Sequence, residues 1–179
     1  MLEVICGGMF AGKSELLIHR LNRASYAKKR IVAFKPAIDN RYSEQEIVSH
    51  SGLKYKCISV TNPNEIFDYV ISHSVDVVGI DEAQFFSDDI VKVVNYIING
   101  WHSVDVYVAG LDLDSKGNPF GSMPYLLALA DKVTKVSAVC VCCGADATRS
   151  HRIVESTEQV LVGAADSYEA RCIKHWIPQ

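Results

Sequence analysis

Short runs of apolar, largely β-branched residues recur along the chain and alternate with longer segments of helical period. The apolar runs cover residues 2–6, 31–34, 75–80 and 104–109, and each has the length of a strand buried on both faces. The segments with helical period cover residues 13–27, 65–72, 88–98 and 123–130. This alternation predicts an α/β fold with a mainly parallel sheet and helices on both faces.

The pattern changes near residue 133. Residues 133–139 predict one more strand, and a tight cysteine cluster and a polar stretch follow it. Because no proline-rich linker separates the two parts, we predict a main domain over residues 1–136 and a small metal-braced module over 137–179, packed directly on the sheet. Residues 36–51 have little periodicity and are predicted to form a loop.

Composition disfavours nucleic-acid-binding, secreted and membrane-spanning proteins. The chain has 179 residues, of which 22% are charged, with a net charge of −3. It therefore lacks the basic excess that attracts nucleic acids. Its apolar N-terminal stretch is too short for a signal peptide, no apolar run reaches membrane-spanning length, and six cysteines without a secretory signal favour reduced thiols. We expect a cytoplasmic protein with no nucleic-acid or membrane partner.

Residues 7–14, here called the phosphate loop, form the strongest short motif. They fit G-x-x-x-x-G-K-[ST] between a predicted strand and a predicted helix. Glycines let successive backbone N–H groups point inward, the lysine can reach the β- and γ-phosphates of ATP, and the serine hydroxyl can bind Mg²⁺. The predicted ATP contacts in this loop are Gly7, Gly8, Met9, Phe10, Ala11, Gly12, Lys13 and Ser14.

The apolar run 77–80 ends in two carboxylates, Asp81 and Glu82. Asp81 is predicted to hold Mg²⁺ together with Ser14, as in Walker-B elements. Glu82 can activate either a substrate hydroxyl or a water molecule. Spacing therefore leaves a kinase and an ATPase both open.

Two pairs of soft ligands lie near the C-terminus. Cys140 and Cys143 form C-x-x-C followed by glycine, and Cys172 and His175 repeat the same spacing. This set suits a tetrahedral structural zinc ion. Pairing Cys140 with Cys142 is the alternative, but C-x-x-C-G fits a metal knuckle better. The remaining cysteines, Cys6 and Cys57, lie in strand-like segments and are predicted to be core thiols.

Several further motifs follow the phosphate loop in order. They are Asp-Asn-Arg-Tyr-Ser at 39–43, Asp-Glu-Ala-Gln-Phe-Phe at 81–86, Gly-Leu-Asp at 110–112, Pro-Phe-Gly at 119–121, the cysteine pair, and Gly-Ala-Ala-Asp-Ser-Tyr-Glu-Ala-Arg-Cys at 163–172. Through this set the chain resembles the zinc-containing, cellular-type (type II) thymidine kinase family over nearly its whole length. The resemblance implies a RecA-like P-loop NTPase domain with a small zinc-binding lasso domain. It also implies transfer of the γ-phosphoryl group of ATP to the 5′-hydroxyl of thymidine, giving dTMP and ADP in nucleotide salvage.

The resemblance also implies catalytic roles. Glu82 matches the general base that takes the proton from the nucleoside 5′-hydroxyl. Gln84 matches a residue on the nucleotide side of the site, and Asp39 and Arg41 match a loop near the phosphates. Arg41 could there offset the negative charge that grows in the transition state.

For the nucleoside, the resemblance implies a zinc-closed loop over residues 148–168 that reads the base largely through backbone groups. Ser115 and Ser150 depart from the family, which usually has an aromatic residue and a threonine there, so the breadth of substrates and the affinity are open. The implied substrate contacts are Met9, Phe85, Leu111, Ser115, Ser150, Gln159, Val160, Leu161, Val162, Gly163 and Tyr168.

The family further implies feedback inhibition by dTTP and a homotetramer. Two other classes compete: a nucleic-acid-associated ATPase that uses its zinc module as a binding ribbon, and a protein that binds ATP without turnover. The acidic charge balance disfavours the first, and intact Lys13, Ser14, Asp81 and Glu82 disfavour the second. Because the zinc ligands flank the nucleoside loop, we expect zinc loss to remove thymidine binding while ATP binding largely survives.

Overall fold

The computed structural model describes residues 1–39, 45–100, 103–154 and 166–178. In these ranges strands alternate with helices along the first three quarters of the chain, and short hairpins follow. The strands are β1 (Leu2–Cys6), β2 (Ile31–Pro36), β3 (Glu46–Val48), β4 (Lys54–Lys56), β5 (Ile58–Val60), β6 (Val77–Ile80), β7 (Asp105–Gly110), β8 (Lys132–Lys135), β9 (Ala138–Val139), β10 (Asp146–Ala147), β11 (Arg149–Arg152) and β12 (Tyr168–Arg171). The helices are α1 (Lys13–Tyr26), α2 (Pro63–Ser72), α3 (Asp89–Gly100) and α4 (Met123–Leu129), with a 3-10 turn at Ala83–Phe85.

Six parallel strands form the central sheet in the order β5-β2-β6-β7-β1-β8. Because side chains alternate between the faces of a strand, β1 contributes to two separate cores. Leu2, Val4 and Cys6 pack with α2, α3 and α4, whereas Ile5 packs with α1 on the opposite face. The predicted α/β fold with helices on both faces is confirmed.

The segment predicted as a loop over 36–51 contains regular structure. It begins with the end of β2 and includes β3, which pairs antiparallel with β4 and places Glu46 opposite Lys56. The edge strand β5 was also not predicted. Its residues Ile58, Ser59 and Val60 are exposed, half-buried and buried in turn, so they lack the continuous apolar run of the inner strands.

Residues 133–139 form two strands rather than the single strand predicted. The chain stays on the central sheet through Val136, whose backbone N–H donates to the Cys6 carbonyl at 2.8 Å, and then turns into β9. The strands β9 and β10 form one antiparallel hairpin, and β11 pairs with β12 in another. The division into domains at residue 136 stays a prediction. Within the described ranges, no helix has the length and apolar character needed to cross a membrane.

Candidate functional site

The phosphate loop joins the carboxyl end of β1 to the start of α1. Gly12 has a left-handed conformation, with φ of 79°, and as a glycine it has no side chain with which to cap the helix that follows. The first backbone N–H groups of α1 therefore point into the site, where the positive end of the helix dipole favours phosphate. Lys13 is buried and curls back over the loop, donating from Nζ to the Gly8 carbonyl at 2.7 Å.

Gly7 is required at the start of the loop for steric reasons. A Cβ atom at this position would lie 2.2 Å from the Val136 carbonyl oxygen, where the chain leaves the sheet. Its φ of 146° is also a conformation that side-chain-bearing residues rarely adopt. Packing thus fixes the phosphate loop between β1 and the segment that leads from the central sheet to β9.

Two adjacent carboxylates end β6 opposite the phosphate loop. Burial raises the pKa of Asp81, and the neighbouring Glu82 carboxylate raises this pKa further. A hydrogen bond from Ser14 and the charge of Lys13 act in the opposite direction. A serine hydroxyl beside a desolvated carboxylate forms a hard oxygen site that a divalent cation fits, because the cation would offset the cost of burying the charge.

Glu82 is held in place by its neighbours. Its backbone is left-handed, with φ of 50°, and its N–H donates to Asp81 Oδ1 at 3.0 Å. Gln84, which is 3% exposed, donates its side-chain N–H to the Glu82 carboxylate. The amide oxygen of Gln84 accepts from the Leu111 backbone N–H at 2.9 Å. A strained backbone and a buried amide together fix the direction of this carboxylate.

An open cleft lies above the phosphate loop and brings the predicted base Glu82 together with predicted phosphate and magnesium contacts. Its walls come from the phosphate loop, the ends of β2 and β6, and the hairpin that begins with β3. Residues lining it are Met9, Phe10, Gly12, Lys13, Ser14, Glu15, Lys35, Asp39, Glu46, Ile47, Val48, Ser49, His50, Asp81, Glu82 and Leu111. We call this space the nucleotide cleft.

Lys35 and His50 line the nucleotide cleft but were not predicted as site residues. Lys35 is buried near the end of β2 and lines the nucleotide cleft. The sequence signal that could have identified it was a lysine at the end of an apolar strand. The ring of His50 lies 4.9 Å from the ring of Phe10, centroid to centroid. No local signal could place His50 there, because the contact depends on the pairing of β3 with β4.

The predicted nucleoside contacts are only partly within the described ranges. Met9 and Leu111 line the nucleotide cleft, whereas the Phe85 ring packs edge-on against Phe120 at 5.8 Å between centroids. Ser115 is buried in the segment after β7. The predicted nucleoside contacts 159–163 lie outside the described residues, and so does Arg41, which was predicted on the phosphate side.

Tyr168 and Ser150 are both buried in the hairpin of β11 and β12. The hydroxyl of Tyr168 accepts from Arg152 Nε at 3.2 Å, and the guanidinium carbon lies 5.4 Å from the centroid of the tyrosine ring. Ser150 accepts from the Met9 backbone N–H at 2.9 Å through its Oγ. The hairpin thus lies directly against the phosphate loop, a contact that motif spacing did not predict.

The four predicted zinc ligands converge, and their ligand atoms all lie within 4.8 Å of one another. Sγ of Cys143 is 3.7 Å from Sγ of Cys172, and Sγ of Cys172 is 3.2 Å from Nδ1 of His175. A tetrahedral zinc ion with Zn–S bonds of about 2.3 Å places its sulfur ligands roughly 3.8 Å apart. The spacing therefore fits a metal site and is far longer than a disulfide bond.

The environment of these ligands also suits a cation. Backbone N–H groups, led by that of Cys172, lower the pKa of the Cys140 thiol to about 6. The thiolate, which is the form that binds metal, is thus favoured near neutral pH. Cys142 lies outside the cluster and is exposed. Cys6 and Cys57 are buried, as predicted for core thiols.

A family model described as thymidine kinase matches residues 1–176. Among solved structures, the chain is similar to the replication initiator DnaA bound to AMPPCP and single-stranded DNA, with 14% identity and a TM-score of 0.45 over 76% of this chain and 40% of that one. It is also similar to AMPPCP-bound DnaA from Aquifex aeolicus, with 13% identity and a TM-score of 0.43 over 75% of this chain and 39% of the other. A further match is domain III of the DnaA protein from Thermotoga maritima, at 15% identity and a TM-score of 0.43, covering 76% and 55% of the two chains. The chain spans between 39% and 55% of the length of these structures.

Proposed function

Because the chain belongs to the thymidine kinase family, we propose that it transfers the γ-phosphoryl group of ATP to the 5′-hydroxyl of thymidine. The products are dTMP and ADP, and the reaction serves nucleotide salvage. The observation that carries this proposal is the position of Glu82, which lines the nucleotide cleft beside Asp81 and is fixed there by Gln84. A fixed carboxylate at this point can take a proton from a hydroxyl that faces the phosphate loop.

ATP is the proposed phosphoryl donor. Backbone N–H groups of the phosphate loop and the start of α1 surround the β- and γ-phosphates, and Lys13 moves its ammonium group from the Gly8 carbonyl to the phosphate oxygens. Ser14 and Asp81 would hold Mg²⁺, which when bound supplies positive charge to the phosphate oxygens. Asp39, buried at the wall of the nucleotide cleft, completes the proposed polar contacts on this side.

Glu82 is the proposed general base. The thymidine 5′-oxygen attacks the γ-phosphorus, the bond from phosphorus to the bridging oxygen of ADP breaks, and the hydroxyl proton passes to the Glu82 carboxylate. Gln84 is proposed to act on the nucleotide side of the site by positioning Glu82, because both polar atoms of its amide already bond within the chain. Arg41 is proposed to offset the charge that develops on the transferred group.

The nucleoside is proposed to lie between the nucleotide cleft and the C-terminal hairpins. Met9 and Leu111 would contact thymine from the side of the main sheet, together with Phe85 and Ser115. Tyr168 and Ser150 would contact it from the hairpin, and the segment 159–163 would read the base through its backbone. Zinc held by the Cys/His cluster would tie together the two ends of this lasso.

Inhibition by dTTP and assembly into a homotetramer are proposed from the family resemblance. A cytoplasmic location is proposed from the composition, because the cysteines favour reduced thiols. Each is open to direct measurement: activity against dTTP concentration, mass in solution, and the location of a tagged protein.

The proposal is tested with a panel of nucleosides. The protein is incubated with ATP and Mg²⁺ and with thymidine, deoxyuridine, deoxycytidine, deoxyadenosine or deoxyguanosine in turn, and nucleoside monophosphates are separated by chromatography. Thymidine is expected to give the fastest monophosphate formation. Single-stranded DNA and a mixture without any acceptor serve as controls. ATP consumption that depends on DNA and is indifferent to thymidine would overturn the proposal.

A further inference from the structure

The middle of the phosphate loop is part of the core of the C-terminal module. Phe10 and Ala11 pack against an apolar cluster that belongs to the module and includes two of the zinc ligands. The members of this cluster are Ala138, Cys140, Ala147, Ala170 and Cys172. Two of the variable positions of the nucleotide motif are thus occupied by residues that pack away from the central sheet.

A hydrogen bond adds a polar link between the same two parts. Ser150 Oγ, in a side chain that is 4% exposed, accepts from the Met9 backbone N–H at 2.9 Å. Strand β11 also runs beside Gly8, where an added Cβ would lie 3.5 Å from Ser150 Oγ and from the Thr148 carbonyl carbon. The hairpin of β11 and β12 therefore contacts the backbone of the phosphate loop, in addition to its proposed contact with the nucleoside.

The loop needs such support because one of its residues is strained. Phe10 has φ of 64°, in the left-handed region that bulky residues avoid. A conformation of this kind persists only when surrounding contacts hold it. Among the described residues, Phe10 packs against the apolar cluster of the C-terminal module and lies beside the ring of His50.

We propose that Ser150 and the apolar cluster of the C-terminal module hold the phosphate loop in its nucleotide-binding conformation. Ser150 is then a positioning residue for nucleotide binding, in addition to any contact that it makes with the nucleoside. This inference rests on the proposed binding of nucleotide by the phosphate loop. It argues against the expectation that ATP binding survives damage to the zinc module.

The size of the effect follows from population arithmetic. Without Ser150 Oγ the Met9 N–H has lost its buried acceptor, so loop conformations that expose it to water gain population. If the binding conformation falls to about one tenth of the population, the apparent Kd rises about tenfold. Ser150→Thr keeps an acceptor oxygen at the same position and should keep the affinity.

The test is calorimetric titration of MgADP into the full chain without thymidine, so that neither turnover nor nucleoside contacts enter the measurement. We expect Ser150→Ala to weaken MgADP binding about tenfold and Ser150→Thr to stay within about twofold of the wild type. Ser122→Ala is the matched control. Ser122 is also a buried serine, and its Oγ donates to Asp88 Oδ1 at 2.9 Å at the start of α4, so this variant reports a loss of stability without a change in the loop.

A second arm tests the apolar cluster. Cys172→Ala, purified as soluble protein and assayed for zinc, should also bind MgADP more weakly, because the packing surface for Phe10 and Ala11 loses its metal-fixed geometry. Unchanged MgADP affinity in Ser150→Ala would overturn the role of Ser150, and unchanged affinity in zinc-free Cys172→Ala would overturn that of the cluster. Absence of MgADP binding in the wild type would instead contradict the proposed function.

Discussion

Gln84 donates its side-chain N–H to the Glu82 carboxylate and accepts the Leu111 backbone N–H at 2.9 Å. The buried amide thus connects the acid at the end of β6 to the segment that follows β7. Glu82 lines the nucleotide cleft, so the bond from Gln84 holds its carboxylate at the wall of this cleft. The orientation of the proposed base, Glu82, therefore depends on the segments that follow the neighbouring strands β6 and β7.

Replacing Glu82 by Gln should lower turnover by about 10² or more while ATP and thymidine still bind, because a general base contributes on that scale. The measurement is the steady-state rate at saturating thymidine, with binding of both substrates followed separately. Asp68→Asn, on an exposed position of α2, removes a carboxylate elsewhere and should leave the rate within about twofold of the wild type. A Glu82→Gln protein with near-normal turnover would remove Glu82 from the mechanism.

Adding a methyl group at Gly110 should displace Gln84 and thereby the Glu82 carboxylate that Gln84 holds. The Cβ of Gly110→Ala would lie 2.8 Å from the Gln84 amide oxygen and 2.6 Å from Met123 Sδ. Gln84 must then shift, so we expect kcat to fall about tenfold with little change in MgADP affinity. Gly100→Ala, where an added Cβ meets no atom of the described residues within 4 Å, is the matched control. Equal kcat values for the two variants would show that Gln84 does not position the base.

The identity of the zinc ligands can be tested by two substitutions one residue apart. Cys142→Ser should keep one tightly bound zinc per chain, because Cys142 lies outside the converging cluster. Cys143→Ser removes a sulfur that lies 3.7 Å from that of Cys172 and should lower the zinc content. Metal analysis of the two purified variants decides the pairing. The opposite pattern, with zinc lost only from Cys142→Ser, would show that the alternative pairing is the one used.

A buried ion cluster at Glu3 should make stability depend on pH. Burial alone raises the pKa of Glu3, but hydrogen bonds from Arg20, Thr134 and Lys132 outweigh it and lower the pKa to about 2, from 4.5. A lowered pKa in the folded state means that Glu3 stabilises the fold fully above pH 4.5, and that this contribution is lost as the pH falls towards 2.

Glu3→Gln should therefore reduce the free energy of unfolding by about 1.5–3 kcal/mol near neutral pH, and the difference from the wild type should shrink below pH 4.5. Denaturant unfolding at several pH values measures the free energy of unfolding of each protein and how the difference between them changes with pH. Glu46→Gln, which breaks an exposed ion pair with Lys54, is expected to cost at most about 1 kcal/mol. A wild-type minus variant difference that stays constant from pH 7 to pH 3 would contradict this account.

The sequence predicted the elements that bury continuous apolar runs. The inner strands β1, β2, β6 and β7 and the four helices were found because their patterns of apolar residues are long and regular. The edge strand β5 and the pair β3 and β4 have only three residues each, too few for a periodic pattern, and β5 pairs with β2 across the intervening hairpin. Local periodicity carries no information about such pairing.

The functional site likewise contains features that local motifs predicted and features that depend on packing between distant segments. The phosphate loop, Asp81 and the zinc ligands were predicted because each belongs to a short motif whose spacing serves its chemistry. The bond between Met9 and Ser150 joins residues 141 positions apart, and the contact of Phe10 with the C-terminal module depends on how two hairpins fold. Contacts of this range come from packing, so only the structure could relate the zinc module to the phosphate loop.

The most direct test of the central claim follows the γ-phosphoryl group itself. ATP labelled in that group is mixed with thymidine, Mg²⁺ and an excess of enzyme, and the labelled products are separated after single turnovers. We expect the label to move into dTMP with one ADP formed per dTMP and with little label in inorganic phosphate. The same mixture with Glu82→Gln should give the same product far more slowly. Label that appears in inorganic phosphate at a rate independent of thymidine would show that water is the acceptor, and would contradict the assignment of this chain as a nucleoside kinase.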